Sequence, residues 1–313
     1  MDTIIGIYGK AIVFSNDIED YAKAQLKMIC DNPISQNSSI KVMPDVHPGN
    51  VGPIGLTMTI NDRIIPNLLG VDIGCGMTCT KIKTKSLELQ KLDKVIIENI
   101  PLGRKIRKKI HHQANEDLLK KLRCYKHINV NKALYSLGTL GGGNHFIELD
   151  KDTNGDLYLV VHTGSRHLGK EVTDYYVSKG ATILKENNLD VPYPMTWISN
   201  QLMEDYIFDV QIVQEYAQEN RNIIINEILK NMKWKEKETF SSIHNYIDIL
   251  GESKILRKGA ISAKLGENVI IPINMRDGII LGVGKGNRDW NESAPHGAGR
   301  VLNRNEWCLL YLY

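Results

Sequence analysis

The stretch Val71-Asp-Ile-Gly-Cys-Gly-Met77 sets a carboxylate and a thiol within one tight turn, because Asp72 and Cys75 are separated by only two residues and glycines flank the thiol. A thiolate in that position can bridge two divalent ions. Two metals about 3.5 to 4 Å apart are a common device for phosphoryl transfer, polarising the phosphate and orienting the attacking oxygen. The turn closes a longer stretch, residues 40–77, in which Gly and Pro punctuate short β-rich runs at 56–60 and 63–65. Such punctuation predicts strands joined by tight turns, the places where sites are built.

Outward from this stretch, helical and strand patterns alternate. Asn16, with Glu19 three residues later, predicts a capping box that opens an amphipathic helix through Cys30, where Asp31, Asn32 and Pro33 stop it. Residues 91–100, 115–122 and 170–186 have helical spacing, and the longest helical stretch runs from 199 to 232. Strand-like runs return at 146–149, 158–162, 269–273 and 279–283, the last two separated by the turn-like Arg276, Asp277 and Gly278. No repeat, low-complexity segment or long linker divides the 313 residues. The expectation is one mixed α/β domain of the α+β class over 1–313, with central β-sheets flanked by helices.

With 42% hydrophobic and 24% charged residues the chain can bury a core. Its net charge is only +3, so a nucleic-acid partner must be held by a local basic surface. One candidate surface is the cluster of Arg104, Lys105, Arg107, Lys108, Lys109, His111, His112, Lys120, Lys121, Arg123 and Lys126. It reads equally as a solvated helix face or as a phosphate-tracking surface. No stretch approaches the roughly 18 apolar residues of a membrane span, and no signal-peptide pattern opens the chain. The cysteines, Cys30, Cys75, Cys79, Cys124 and Cys308, are odd in number and scattered, which argues for reduced thiols. A soluble cytoplasmic protein is expected.

Further segments pair glycine with metal- or phosphate-competent side chains: Met43-Pro-Asp-Val-His-Pro-Gly49, Gly141-Gly-Gly-Asn-His-Phe146, His162-Thr-Gly-Ser-Arg166 and Pro295-His-Gly-Ala-Gly-Arg300. His244-Asn-Tyr246 lacks glycine. A lone buried His is more often a hydrogen-bonded core residue than a ligand, and a lone Cys a small hydrophobe. Six such segments together point to a metal site, since Cys, His and Asp supply soft, intermediate and hard donors. Cys75 with Cys79 also has the spacing of half a structural zinc site, without a second pair to complete it. Asp45 and His47 read as groups that orient a ligand or touch a nucleic-acid partner rather than as direct metal ligands. His111, His112, His127 and His167 read as surface residues, and Arg166 and Arg300 either clamp phosphates or form structural ion pairs.

Taken in order, Pro44-Asp-Val-His-Pro-Gly49, Asp72-Ile-Gly-Cys-Gly76, Gly143-Asn-His-Phe146, His162-Thr-Gly-Ser-Arg166, His244-Asn-Tyr246, Arg257-Lys-Gly-Ala260 and His296-Gly-Ala-Gly-Arg300 resemble the signature motifs of the RtcB family of RNA ligases. The resemblance implies an RtcB-type fold with a two-metal cleft. It implies a GTP- and manganese-dependent ligase that joins RNA 3′-phosphate or 2′,3′-cyclic phosphate ends to 5′-hydroxyl ends, with tRNA halves or damaged RNA as partners. Cys75 would bridge two manganese ions, one also held by His162 and His244, the other by Asp72 and His145. His296 would be the nucleophile that carries GMP. Asn144 would contact the GTP phosphates, and Gly297, Ala298, Gly299 and Arg300 would lie against the nucleotide.

Family members continue beyond the His296 motif with a segment that contacts the guanine base, so the resemblance also implies that this chain lacks the usual C-terminal segment. Two further readings follow. One is a metal-dependent phosphodiesterase that opens cyclic ends without joining them, and the other a non-catalytic RNA-binding protein.

Overall fold

Short β-rich runs punctuated by Gly and Pro become two central sheets in the computed structural model, which describes residues 1–298. Gly299, Arg300 and the apolar run 307–313 lie outside the described residues. The six-stranded sheet has the order Asp2–Ile5, Lys10–Val13, Ile40–His47, Ile54–Thr59, Ile255–Lys258, Asn245–Asp248. Its pairings are antiparallel except that between Lys10–Val13 and Ile40–His47. The helix Asp20–Cys30 lays Ala22, Leu26, Ile29 and Cys30 into the core shared with this sheet. It starts at Asp20, and the capping box expected from Asn16 and Glu19 is not formed. Asn16 instead accepts a hydrogen bond from the N-terminal amine of Met1, which removes its side chain from the helix end.

The four-stranded sheet has the order Lys235–Ile243, Gly76–Lys83, Leu157–Thr163, Phe146–Lys151 and is wholly antiparallel. Antiparallel order brings the starts of two strands and the ends of the other two to one edge. Here Gly76 pairs with Ile243 and Thr163, and Phe146 with His162. Cys75, His145, His162 and His244 therefore gather at that edge although up to 169 positions separate them (244 minus 75).

The helix Asn200–Met232 supports this edge from below; at about 1.5 Å per residue its 33 residues span roughly 50 Å. Its buried stripe follows helical spacing through Val210, Val213, Ala217, Ile224 and Ile228. Three polar side chains interrupt it, Asp209, Asn220 and Arg221, each fully buried. Among the described residues no helix is long and apolar enough to cross a membrane.

His111, expected at the surface, is buried, and its Nε2 lies 3.2 Å from Glu227 Oε1 on the long helix. His112 is exposed and packs its ring against that of His111 at 4.3 Å. His127 is likewise exposed, and His167 is partly so, 3.0 Å from Glu171.

Candidate metal centre and the histidine facing it

The turn before strand Gly76–Lys83 closes through the Cys75 N–H donating to Asp72 O at 3.2 Å. The Gly74 N–H donates to Asn245 O, and the His244 N–H donates to Cys75 O at 2.9 Å. Asp72, Cys75 and His244 are thus locked together through the backbone. Gly164 lets the carboxylate in: a Cβ there would stand 2.1 Å from Asp72 Oδ1. Arg221 ties the arrangement down, its Nη1 donating to Gly74 O at 2.8 Å and Thr163 O at 2.9 Å and its Nε to Thr78 Oγ1 at 3.1 Å. Asn220 accepts from the Gly138 and Thr139 N–H groups and donates to Thr139 O and Gly164 O.

Five side chains meet at the sheet edge. Cys75 Sγ lies 3.5 Å from His145 Nε2 and 3.4 Å from His162 Nε2. His162 Nε2 is 3.4 Å from His244 Nε2, and His145 Nε2 is 3.0 Å from Asp72 Oδ2. The donor atoms of Cys75, His162 and His244 all lie within 4.8 Å of one another, as do those of Asp72, Cys75 and His145. Cys75 belongs to both groups.

The ring partners fix which nitrogen carries the proton. His162 Nδ1 is 2.9 Å from Asn144 O and His145 Nδ1 is 2.9 Å from Leu140 O. A carbonyl only accepts, so both Nδ1 atoms donate; the neutral His162 ring then turns its Nε2 lone pair toward Cys75, while His145 Nε2 lies between Cys75 and the Asp72 carboxylate. Burial, with the neighbouring His145, pulls His162 down to about 3, and burial likewise holds His244 well below the ordinary imidazole range. The Cys75 thiol is pushed well up by burial and by the Asp72 carboxylate. Burial raises Asp72, but the hydrogen bonds from His145 and Cys75 and the charges of His145 and His162 together outweigh it and leave Asp72 below the usual carboxylate value. Asp72 Oδ1 and His244 Nδ1 are buried without a hydrogen-bond partner among the described residues. Neutral imidazole lone pairs converging on a sulfur and a carboxylate suit a divalent cation, which would also favour the thiolate.

Across the cleft stands His296, at the end of strand Ser293–Pro295, which pairs with Ala260–Ser262. Its Nδ1 is 2.7 Å from Asp45 Oδ2, and its backbone N–H donates to the same oxygen at 3.2 Å. With Nδ1–H donating to the carboxylate, Nε2 is the ring nitrogen left for a ligand, and the side chain is 19% exposed, enough for one to reach. The ring lies 4.9 Å from that of His244. Gly259, at φ +61°, lies beneath this wall, where a Cβ would stand 2.1 Å from Ile54 Cγ2 and 3.3 Å from His296 Cε1. Arg257, fully buried, braces this wall: Nη1 donates to Asp248 Oδ2 at 2.8 Å, Nε to Ser293 Oγ at 2.8 Å and Nη2 to Asn291 O at 3.2 Å.

Between the walls lies a cleft of about 1110 Å³ lined by all five donors, His296, Asn144, Gly297 and Ala298. His47 lines it too, its Nδ1 2.8 Å from Asp45 O. Lys258 and Glu148, which the sequence reading did not assign to the site, also face it. Burial alone pulls the Lys258 ammonium down to about 8, with no carboxylate partner among the described residues. Arg166 makes no ion pair among the described residues: it donates to Thr139 Oγ1 and Gly103 O. Cys79 packs with Met77, Val160 and Ile270, which removes the half-zinc-site alternative.

A half-buried carboxylate, a thiol and three imidazoles facing a fourth imidazole define a site suited to metal-assisted chemistry on a phosphate. The profile of the family described as "tRNA-splicing ligase RtcB" matches residues 25–132 and 113–308. The RNA-splicing ligase RtcB of Escherichia coli strain K12 is 29% identical over 310 residues, covering 85% of this chain and 75% of that protein. The tRNA-splicing ligase RtcB of Methanococcus maripaludis is 25% identical over 392 residues, covering 97% and 81%. The chain belongs to the RtcB family.

Proposed function

We propose that this chain is a GTP- and manganese-dependent RNA ligase that joins a 3′-phosphate or 2′,3′-cyclic phosphate end to a 5′-hydroxyl end through a histidine–GMP intermediate. The observation that carries the reading is the pairing of His296 Nδ1 with Asp45, which presents the Nε2 lone pair to the cleft that holds the five donors. Asp72, Cys75 and His145 would hold one ion, and Cys75, His162 and His244 the other. Manganese, when bound, neutralises phosphate charge and polarises the phosphorus under attack.

His296 Nε2 attacks the GTP α-phosphorus and pyrophosphate leaves, while Asp45 stabilises the positive charge that develops on the ring. An oxygen of the RNA 3′-phosphate then displaces Nε2, so that GMP passes to the RNA end. The 5′-hydroxyl attacks the 3′-phosphorus, GMP leaves, and the proton goes to solvent. A cyclic end is first opened by water. Lys258, an ammonium without a carboxylate partner in the same cleft, offers its charge to a phosphate, and Asn144, Gly297 and Ala298 flank the nucleotide.

A gel assay with two RNA strands, one ending in 3′-phosphate and one beginning with 5′-hydroxyl, tests this. Ligation should require GTP and manganese and vanish in His296→Ala. Ligation by that variant, or equal ligation with ATP, contradicts the assignment.

A further inference from the structure

Four cations of the basic cluster share one segment and, like Lys121 and Lys126, are exposed without an ion pair among the described residues. Lys120 pairs with Asp117 at 3.0 Å, Arg123 lies over the Phe208 ring, and Arg107 donates to Leu137 O and Gly138 O. Arg104, Lys105, Lys108 and Lys109 are exposed and form no ion pair among the described residues. They do not sit on a helix face, which answers the solvated-helix alternative: residues 103–110 are an irregular strap. The strap is nonetheless held at both ends. Gly103 N–H donates to Gly141 O at 2.8 Å, Arg166 Nη2 donates to Gly103 O, and Arg107 N–H donates to Tyr135 O at 3.0 Å. His111 follows, buried against Glu227. An anchored backbone carrying four unpaired cations has no structural need for them.

The anchor is also where the strap meets the site. Gly103 Cα lies against Gly142, in the turn that leads directly into Asn144 and His145. Resting on the ligase reading, we propose that this strap binds the phosphodiester backbone of the RNA strand that leaves the cleft over the Gly141–Gly143 turn. Leu102, Ile106 and Ile110, exposed between the cations, offer riboses and bases an apolar surface.

Anisotropy of a fluorescent single-stranded RNA of about twenty nucleotides, titrated at salt from about 50 to 200 mM, tests it, because each single-strand phosphate contact contributes roughly 0.7 to the slope of log affinity against log salt. The combined variant Arg104→Gln, Lys105→Gln, Lys108→Gln, Lys109→Gln should lower that slope by about 2 to 3, so that the unsubstituted protein loses roughly fiftyfold more affinity across the range than the variant does. Its thermal unfolding midpoint and manganese content should not change. Lys120→Gln, Lys121→Gln, Lys126→Gln, a loss of three charges outside the strap, should leave the slope nearly as it was. RNA binding by the unsubstituted protein with an equal slope in the strap variant overturns the proposal alone, as does an equal fall in both variants. Absence of salt-dependent RNA binding by the unsubstituted protein removes the ligase reading together with it.

Discussion

Both walls of the cleft rest on a fully buried arginine, and the two are neutralised differently. Arg257, under the His296 wall, has Asp248 as a counter-ion at 2.8 Å, and Lys264 shares that carboxylate at 2.8 Å. Arg221, under the metal wall, makes no ion pair among the described residues and spends its donors on the carbonyls of Gly74 and Thr163 and the hydroxyl of Thr78. Burial pulls Arg221 down to about 10, with Cys75 and Asp72 acting in the opposite direction. The His296 wall is electrostatically complete in itself, whereas the cation of the metal wall faces the anionic donors of the site. Structure and metal binding are therefore coupled on one wall and separable on the other.

The largest effect should come from Arg221→Met, which orphans two buried carbonyls and removes the cation beside the donors; on the order of 3 to 5 kcal/mol of stability should be lost in denaturant unfolding, along with the bound metal. Arg257→Met leaves Lys264 on Asp248, so about 2 kcal/mol is expected. Metal content should persist there while His296 loses its fixed approach and nucleotide labelling falls. Equal metal loss in both variants would erase the contrast.

Lys258→Met should act in the other direction. The folded state holds this lysine at about 8 against an ordinary 10.5, so it binds fewer protons than the unfolded chain between those pH values. Stability should rise with pH through that window, because the penalty on the buried charge is complete below pH 8 and gone above 10.5. The variant should accordingly gain about 1 to 2 kcal/mol at neutral pH and lose the gain as pH climbs. A flat difference between the two proteins across that window would show that Lys258 is not held at a depressed value.

Cys75→Ala should change metal-free stability least, by about 1 kcal/mol, since a small buried hydrophobe replaces another. Metal counting should nevertheless find both ions lost, against chiefly one in His244→Ala. Retention of two ions by Cys75→Ala contradicts the bridging role.

The side chains that gather at the site were legible because each lies in a short contiguous segment, glycine-bearing for all but His244, so Asp72 and Cys75 needed no tertiary information. The alternation of strand and helix was legible for the same reason, through period and punctuation. What supports the site was not. Asn220 and Arg221 fall on the apolar stripe of a long helix, and the one clue was polar residues at positions that spacing assigns to the core. Asp45 meets His296 across 251 positions, and His111 meets Glu227 across 116, so the charge run around His111 pointed to the surface. Asn16 and Glu19 match a capping box in spacing, yet the N-terminal amine takes the Asn16 side chain.

Intact-mass measurement after incubation with GTP and manganese, followed by peptide mapping, addresses the central claim most directly. One GMP should be added per chain, on the peptide containing His296, through a bond lost in mild acid as expected of a phosphoramidate, and none should be added in His296→Ala. An adduct on another residue, or an equal adduct of AMP from ATP, would contradict the account.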